Sequence, residues 1–359
     1  MGFKRNKVKV DLCSYPPFML LAPRKFGKTT FWYKLVKKAW GEDSKGLLIS
    51  FGKEDGYHSL EDLQYEVAKE WDSEYDEELD LRGFVQIVDD VVENQMEHGI
   101  KGVCFDTFDT MVDVAVAEVL RQHRKEKGTI CKSLNDAFGG YGRGRDRLID
   151  LINTQIERLR DAGIAVFVLC HVKMKEKTDL KSGDKYEQIT TNLRDDVYAA
   201  IADSAQMVMV GMLDREISNG KIVSEKRSVY LRETSEVDAG SRFEGLPEKI
   251  NLDVEEFMRA FEAGVKNSMT KEVTDDEIQK IREEELKTSK RKADIILQRE
   301  KDLNKNEEYI EIIRSKFIDA DDDIKNKAKE IMAEYNIPNF KSPEVSTEGL
   351  EKIVNLLIG

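Results

Sequence analysis

The chain has 359 residues, and 57 lysines and arginines against 70 aspartates and glutamates leave a formal charge of −13. That balance excludes a protein that gathers polyphosphate or nucleic acid by its overall field, so any such contact needs a local basic patch. Hydrophobic residues make up 40% of the chain and charged residues 35%, enough for a core, yet no apolar run approaches the roughly 20 residues that span a bilayer, and no membrane partner is expected.

Short apolar runs alternate with longer helical patterns, which predicts βαβ units and a mainly parallel sheet. Residues 1–7 are basic but lack the apolar stretch of a signal peptide. The first apolar run, Phe18–Leu21, leads directly into Ala22-Pro23-Arg24-Lys25-Phe26-Gly27-Lys28-Thr29-Thr30, and a helix is predicted over Thr29–Trp40. This is the GxxxxGK[ST] pattern with Ala22 in place of the first glycine. Its chemistry needs a strand, a turn whose backbone N–H groups converge, and a helix N-terminus aimed at an anion. Residues 22–30 are therefore the candidate nucleotide cradle, with Lys28 on the β- and γ-phosphates and the Thr29 hydroxyl on Mg²⁺.

The second run, Gly46–Phe51, opens into a turn containing Glu54, the candidate to orient an attacking water. A third, Val103–Phe105, ends in Asp106, an acid placed to hold the metal together with Thr29. Asp109 could serve as a second acid, but it is expected to face solvent or cap the following helix. Helical spacing over Asp146–Ala162 precedes a fourth strand, Ile164–Cys170, which ends in His171. The carboxyl edge of a central parallel strand borders the ligand crevice of α/β sheets. His171 is accordingly a candidate sensor of the γ-phosphate, coupled to the segment behind it.

Two basic segments fall where loops are expected. Gly139–Arg147 combines Tyr141 with Arg143, Arg145 and Arg147 among flexible glycines, the mixture of cations and ring that single-stranded DNA binding uses. Lys173 and Lys175 belong to a long polar loop, predicted to be mobile, that runs to Lys185. Ordinary solvated loops are the alternative for both. Met207–Leu213 and Val229–Leu231 flank Asn219-Gly220 and are expected to form a hairpin. Arg227 and Arg232 bracket its second strand, where they could reach a nucleotide on a neighbouring subunit or simply make surface salt bridges.

Composition changes near residue 265. Residues 266–359 hold 18 basic and 22 acidic side chains and glycine only at 349 and 359. The expected organisation is an α/β core over 1–265 and a charged helical extension over 266–359, with helices near 275–303, 306–317, 321–335 and 347–357. The first of these is expected to be a solvated spacer. Cys13, Cys104, Cys131 and Cys170 show no CxxC spacing and are expected to be reduced, in a cytoplasmic protein.

The chain resembles the phage RecA-like ATPases, the AAA-type phage nucleotide-binding proteins that include a RecA-core class of single-strand annealing proteins. The resemblance runs over about 15–262. It rests on Gly27-Lys28-Thr29, Glu54-Asp55-Gly56-Tyr57, Asp106-Thr107, Gly140-Tyr141-Gly142-Arg143-Gly144, His171-Val172-Lys173-Met174-Lys175-Glu176-Lys177 with Tyr186, and Ala239–Pro247. It implies a RecA-like P-loop core, binding of ATP with Mg²⁺, single-stranded DNA binding, and ATP-assisted annealing or strand exchange in recombination. It also implies a homo-oligomeric ring or filament with ATP at subunit interfaces, a single-strand DNA-binding protein as partner, and the host cytoplasm as the site of action. A motor or helicase-loader ATPase of the same fold, or an ATP-switched protein-binding module without turnover, is the alternative.

Overall fold

The computed structural model describes residues 6–15, 17–41, 45–52, 56–73, 81–94, 98–271, 273–318, 320–340 and 343–358. In chain order its strands are β1 (Phe18–Leu21), β2 (Gly46–Phe51), β3 (Gln64–Ala68), β4 (Gly102–Asp106), β5 (Ala165–Cys170), β6 (Val172–Thr178), β7 (Lys185–Thr191), β8 (Met207–Ser218), β9 (Lys221–Tyr230), β10 (Gly240–Ser241) and β11 (Lys249–Asn251). The helices are α1 (Lys28–Trp40), α2 (Phe84–Glu93), α3 (Phe108–Lys127), α4 (Arg143–Asp161), α5 (Asp195–Ala202), α6 (Val254–Asn267), α7 (Asp275–Lys316), α8 (Asp322–Glu334) and α9 (Thr347–Ile358).

The main sheet runs β11-β9-β8-β1-β5-β4-β2-β3, with β10 also on β8. Strands β3, β2, β4, β5, β1 and the start of β8 are parallel, while β9 and β11 extend one edge antiparallel. Continuous apolar runs arise because both faces are covered. Alternate side chains then enter two different cores: Met19, Leu21, Ile49, Phe105 and Val168 pack with α2, α3 and α4. Phe18, Leu20, Leu48, Cys104 and Phe167 pack with α1 and α6. Aromatic rings knit the second core, Phe18 stacking on Phe167 with centroids 5.0 Å apart and Phe257 meeting Phe31 edge-on at 5.7 Å. The α/β class with a mainly parallel sheet and a helical C-terminal region is thus observed.

Several local expectations need correction. The segment after His171 is not a mobile loop but an antiparallel ribbon, β6–β7, paired from Val172↔Thr191 to Thr178↔Lys185. Val172 and Met174 alternate with the lysines of β6 and share a face with Ile189, but two apolar residues are too short a pattern to mark a strand. Strands β8 and β9 are longer than their apolar parts, because Asp214–Ser218 and Lys221–Lys226 pair with each other beyond the sheet. The predicted helices near 275–303 and 306–317 are one helix, α7. Its beginning is no solvated spacer: Ile278 and Ile281 pack on the α1–α6 core, and the buried Glu285 carboxylate accepts from the N–H groups of Val10 and Asp11 at 3.1–3.2 Å.

Two compact units result, Met1–Lys290 and Arg291–Gly359, so the division falls within α7 and not near 265. The second unit has its own small core of Ile310, Ile313, Ala328, Ile337, Leu350, Ile353 and Val354. Among the described residues no helix is long and apolar enough to cross a membrane.

Candidate nucleotide site

The site grows from the end of β1. Ala22 is fully buried and its N–H donates to the Cys170 carbonyl at 3.0 Å, which ties the loop to the end of β5. Arg24 and Lys25 are exposed, Phe26 turns into the core, and Gly27 takes a left-handed φ of 105° as the N-cap of α1. Gly27 has no side chain with which to cap this helix, and no acid stands in its first turn. Its leading N–H groups and positive dipole end therefore face the loop. Lys28 is 6% exposed and donates through Nζ to the Ala22 and Pro23 carbonyls, each at 3.1 Å. Thr30 is exposed at the rim.

The departure at Ala22 has a structural counterpart. Gly211 on β8 packs against the loop so closely that a Cβ there would stand 2.4 Å from the Phe26 ring and 2.9 Å from the Ala22 methyl. Gly211 thus yields the space that a glycine at 22 would have provided. Gly211→Ala is expected to destabilise the fold by about 1–3 kcal/mol through overpacking. The double variant Gly211→Ala, Ala22→Gly should recover part of that loss in urea melts.

Strand β4 delivers Asp106 to the same place. Its Oδ2 accepts from the Thr29 hydroxyl at 2.7 Å, and Asp106 is only 4% exposed. A hydroxyl and a carboxylate offer hard oxygen donors, and Mg²⁺ is held by one or two such groups with water and phosphate completing its octahedron. The donor set fits that ion. Gly56 closes the third side, the position of a Cβ on it lying 3.9 Å from Thr29 Oγ1. Glu54 lies outside the described residues.

His171 sits where the carboxyl end of β5 leaves the sheet, and the expectation for Asp109 needs correction. Asp109, expected to face solvent or cap its helix, lies in the first turn of α3 and accepts from His171 Nδ1 at 2.8 Å and from the His171 N–H at 3.2 Å. Burial opposes ionisation of Asp109, yet the His171 hydrogen bond and charge and the backbone N–H bonds outweigh it and hold the carboxyl well below the usual range. A folded value below the unfolded one gives stability that is present above the unfolded value and lost as pH falls through the folded one. Asp109→Asn is therefore expected to flatten the acid limb of the stability profile below about pH 4, as read by urea melts.

A cavity of about 500 Å³ opens beside the loop, lined among others by Gly27, Thr30, Phe31, Lys34, Arg227 and Asn251. Arg227 lies beside its own chain's loop, its Nη1 3.4 Å from where a Gly27 Cβ would be. This placement in its own chain's site went unseen because only the β9 register, Leu213↔Arg227, brings it there. Arg232 is exposed just past β9, and among the described residues no hydrogen bond or ion pair joins it to the loop.

The two basic segments sort differently. Arg143, Arg145 and Arg147 lie on the opening turns of α4, not on a loop. Arg143 donates to the Phe138 carbonyl at 3.2 Å, Arg145 to Asn135, and Arg147 to Gln122 and Glu126 at 2.9 and 2.7 Å. Arg147 also covers the Phe138 ring at 4.9 Å. These contacts, with the Phe138 N–H donating to His123 Nδ1 at 2.9 Å, brace a turn that displays Tyr141 with 99% exposure at φ 56°. On the ribbon Lys173 is exposed, whereas Lys175 donates to the Leu193 carbonyl and to Asp195 at 2.7 and 2.8 Å.

A family model described as an AAA domain matches residues 15–243. No curated protein matches the chain. The family match begins just before β1, ends just past β10 and covers well over half of the chain, which therefore belongs to the AAA domain family of nucleotide-binding P-loop ATPases.

Proposed function

We propose that the chain is a Mg²⁺- and ATP-dependent recombination protein that binds single-stranded DNA and promotes annealing or strand exchange. In this reading residues 22–30 hold the triphosphate, and Lys28 leaves the Ala22 and Pro23 carbonyls for the β- and γ-phosphates. Thr29 and Asp106 hold Mg²⁺, which when bound neutralises phosphate charge. Glu54 orients the attacking water, and His171 senses the γ-phosphate. The cavity beside Gly27 and Arg227 takes the nucleoside end. The chain works as a homo-oligomeric ring or filament, in which Arg232 reaches a neighbour's nucleotide, alongside a single-strand DNA-binding protein.

The observation that carries the DNA side is Tyr141. A bulky residue with positive φ is strained, and such strain persists only where the surroundings enforce it, most often at functional sites. Here the braced turn holds a fully exposed ring with glycine on either side, the geometry of a stacking platform for an unpaired base. The paired arginines 145 and 147 then support the platform, and Lys173 supplies charge to the phosphate backbone.

The test is the affinity for a fluorescent oligothymidylate, measured by anisotropy with a non-hydrolysable ATP analogue and repeated with the duplex form. Saturable binding that weakens with salt and is stronger for the single strand is the expected result. Equal or stronger binding of duplex would favour a motor acting on double strands. No binding of either at low salt would leave an ATP-switched module acting on a protein.

A further inference from the structure

One carboxylate joins the nucleotide end of the sheet to both feet of the β6–β7 ribbon. Asp106 ends β4, Thr107 is the N-cap of α3, and Asp109 follows in its first turn. Besides the two bonds from His171, Asp109 Oδ2 lies 3.4 Å from the donor Asn192 Nδ2. His171 immediately precedes β6 and Asn192 immediately follows β7, and the Asn192 N–H donates to the His171 carbonyl at 3.2 Å. The two feet are therefore closed on each other and on Asp109. The middle of β7 is held separately, Ile189 exchanging backbone bonds of 2.8 and 2.9 Å with Glu236 and Asp238, so the ribbon does not depend on Asp109 to stay folded.

We propose that Asp109 is a positioning residue that couples the phosphate loop to the ribbon. Only two residues separate it from Asp106, at the start of a stiff helix. A displacement of the strand end when the nucleotide's Mg²⁺ is taken up by Thr29 and Asp106 moves the carboxylate, and with it both feet of the ribbon. Coupling free energies are reciprocal, so a ligand held on the ribbon changes nucleotide affinity by the same factor. The inference rests on the reading of this site as one that answers to single-stranded DNA, and names the device that carries the answer.

The experiment measures two quantities in the wild type, Asp109→Ala, Asp109→Asn and Asn192→Ala. The first is the factor by which a saturating non-hydrolysable ATP analogue changes affinity for oligothymidylate. The second, without DNA, is the change in hydrogen–deuterium exchange over 172–191 when the analogue binds. A wild-type factor in the range of about 5- to 150-fold is expected, falling to near one in Asp109→Ala. Asn192→Ala, which removes the side-chain contact to Asp109 but keeps the backbone bond to His171, should lie between. Asp109→Asn should recover part, since its carboxamide oxygen still accepts from the His171 N–H. Thermal melts and the exchange of residues 188–190 serve as the control for folding, which a merely structural role would disturb first. An Asp109→Ala variant that keeps the wild-type factor or the wild-type exchange response overturns the inference. If the wild type binds no oligonucleotide, the DNA reading fails and the exchange arm decides alone: a response that disappears in Asp109→Ala supports the coupling, and a response missing from the wild type contradicts it.

Discussion

Lys28→Ala is expected to lower ATP turnover by a factor of about 10²–10³, the usual loss when one preorganised charge aimed at the reacting group is removed from a water-poor site. Lys28 opens α1 and is buried to 6% exposure, its ammonium already stripped of most of its water and held by two loop carbonyls 3.1 Å away. Alanine keeps the helix, because it has the best helix propensity of any residue, and the melting temperature should hardly move. The loss is thus separable from misfolding by a thermal melt on the same sample. Arginine at 28 should not rescue turnover, since the planar fork does not reproduce a compact point charge.

The second large effect is expected at Tyr141. Stacking of a base on an aromatic ring is worth about 1–3 kcal/mol by truncation, so Tyr141→Ala should weaken binding of a single strand by roughly 5- to 150-fold. Tyr141→Gly gives the cleaner comparison. Glycine accepts positive φ without a Cβ penalty, so it removes the ring while relieving the backbone at φ 56°. Both variants should bind weakly, and the glycine variant should melt no lower than the alanine one. Tyr141→Phe or Tyr141→Trp should retain binding, because the ring face carries the interaction. Anisotropy titrations of all four at one salt concentration read the series. Unchanged affinity in both Tyr141→Ala and Tyr141→Gly would exclude the platform.

How much of this was legible in the sequence depended on whether the determining residues were neighbours in the chain. Strands β1, β2 and β5 stood out because burial on both faces makes them continuous apolar runs. The phosphate loop stood out because its parts are contiguous. Strand β3, Gln64–Ala68, lies at the sheet edge with Tyr65 exposed and carries no such run, and the β6–β7 ribbon has only Val172, Met174 and Ile189 as aliphatic members of one face. The contact of Asp109 with His171 spans 62 residues. It follows only once β4 is known to lie beside β5, where Asp106 pairs with Leu169 and the two strand ends converge. Arg227 needed the hairpin register in the same way. The arginines of 143–147 were misplaced because glycine-rich composition signals a loop, whereas Gly144 belongs to α4, packed so that a Cβ would meet the Leu134 carbonyl at 2.3 Å.

The central claim, an ATPase whose turnover answers to single-stranded DNA, is tested most directly by steady-state ATP hydrolysis with increasing oligothymidylate, in the wild type and in Lys28→Ala. The account predicts a saturable rise in the wild-type rate that is absent from the variant at every DNA concentration. A wild-type rate indifferent to DNA across the titration, with hydrolysis still abolished by Lys28→Ala, would contradict it and leave a P-loop ATPase that acts on another partner.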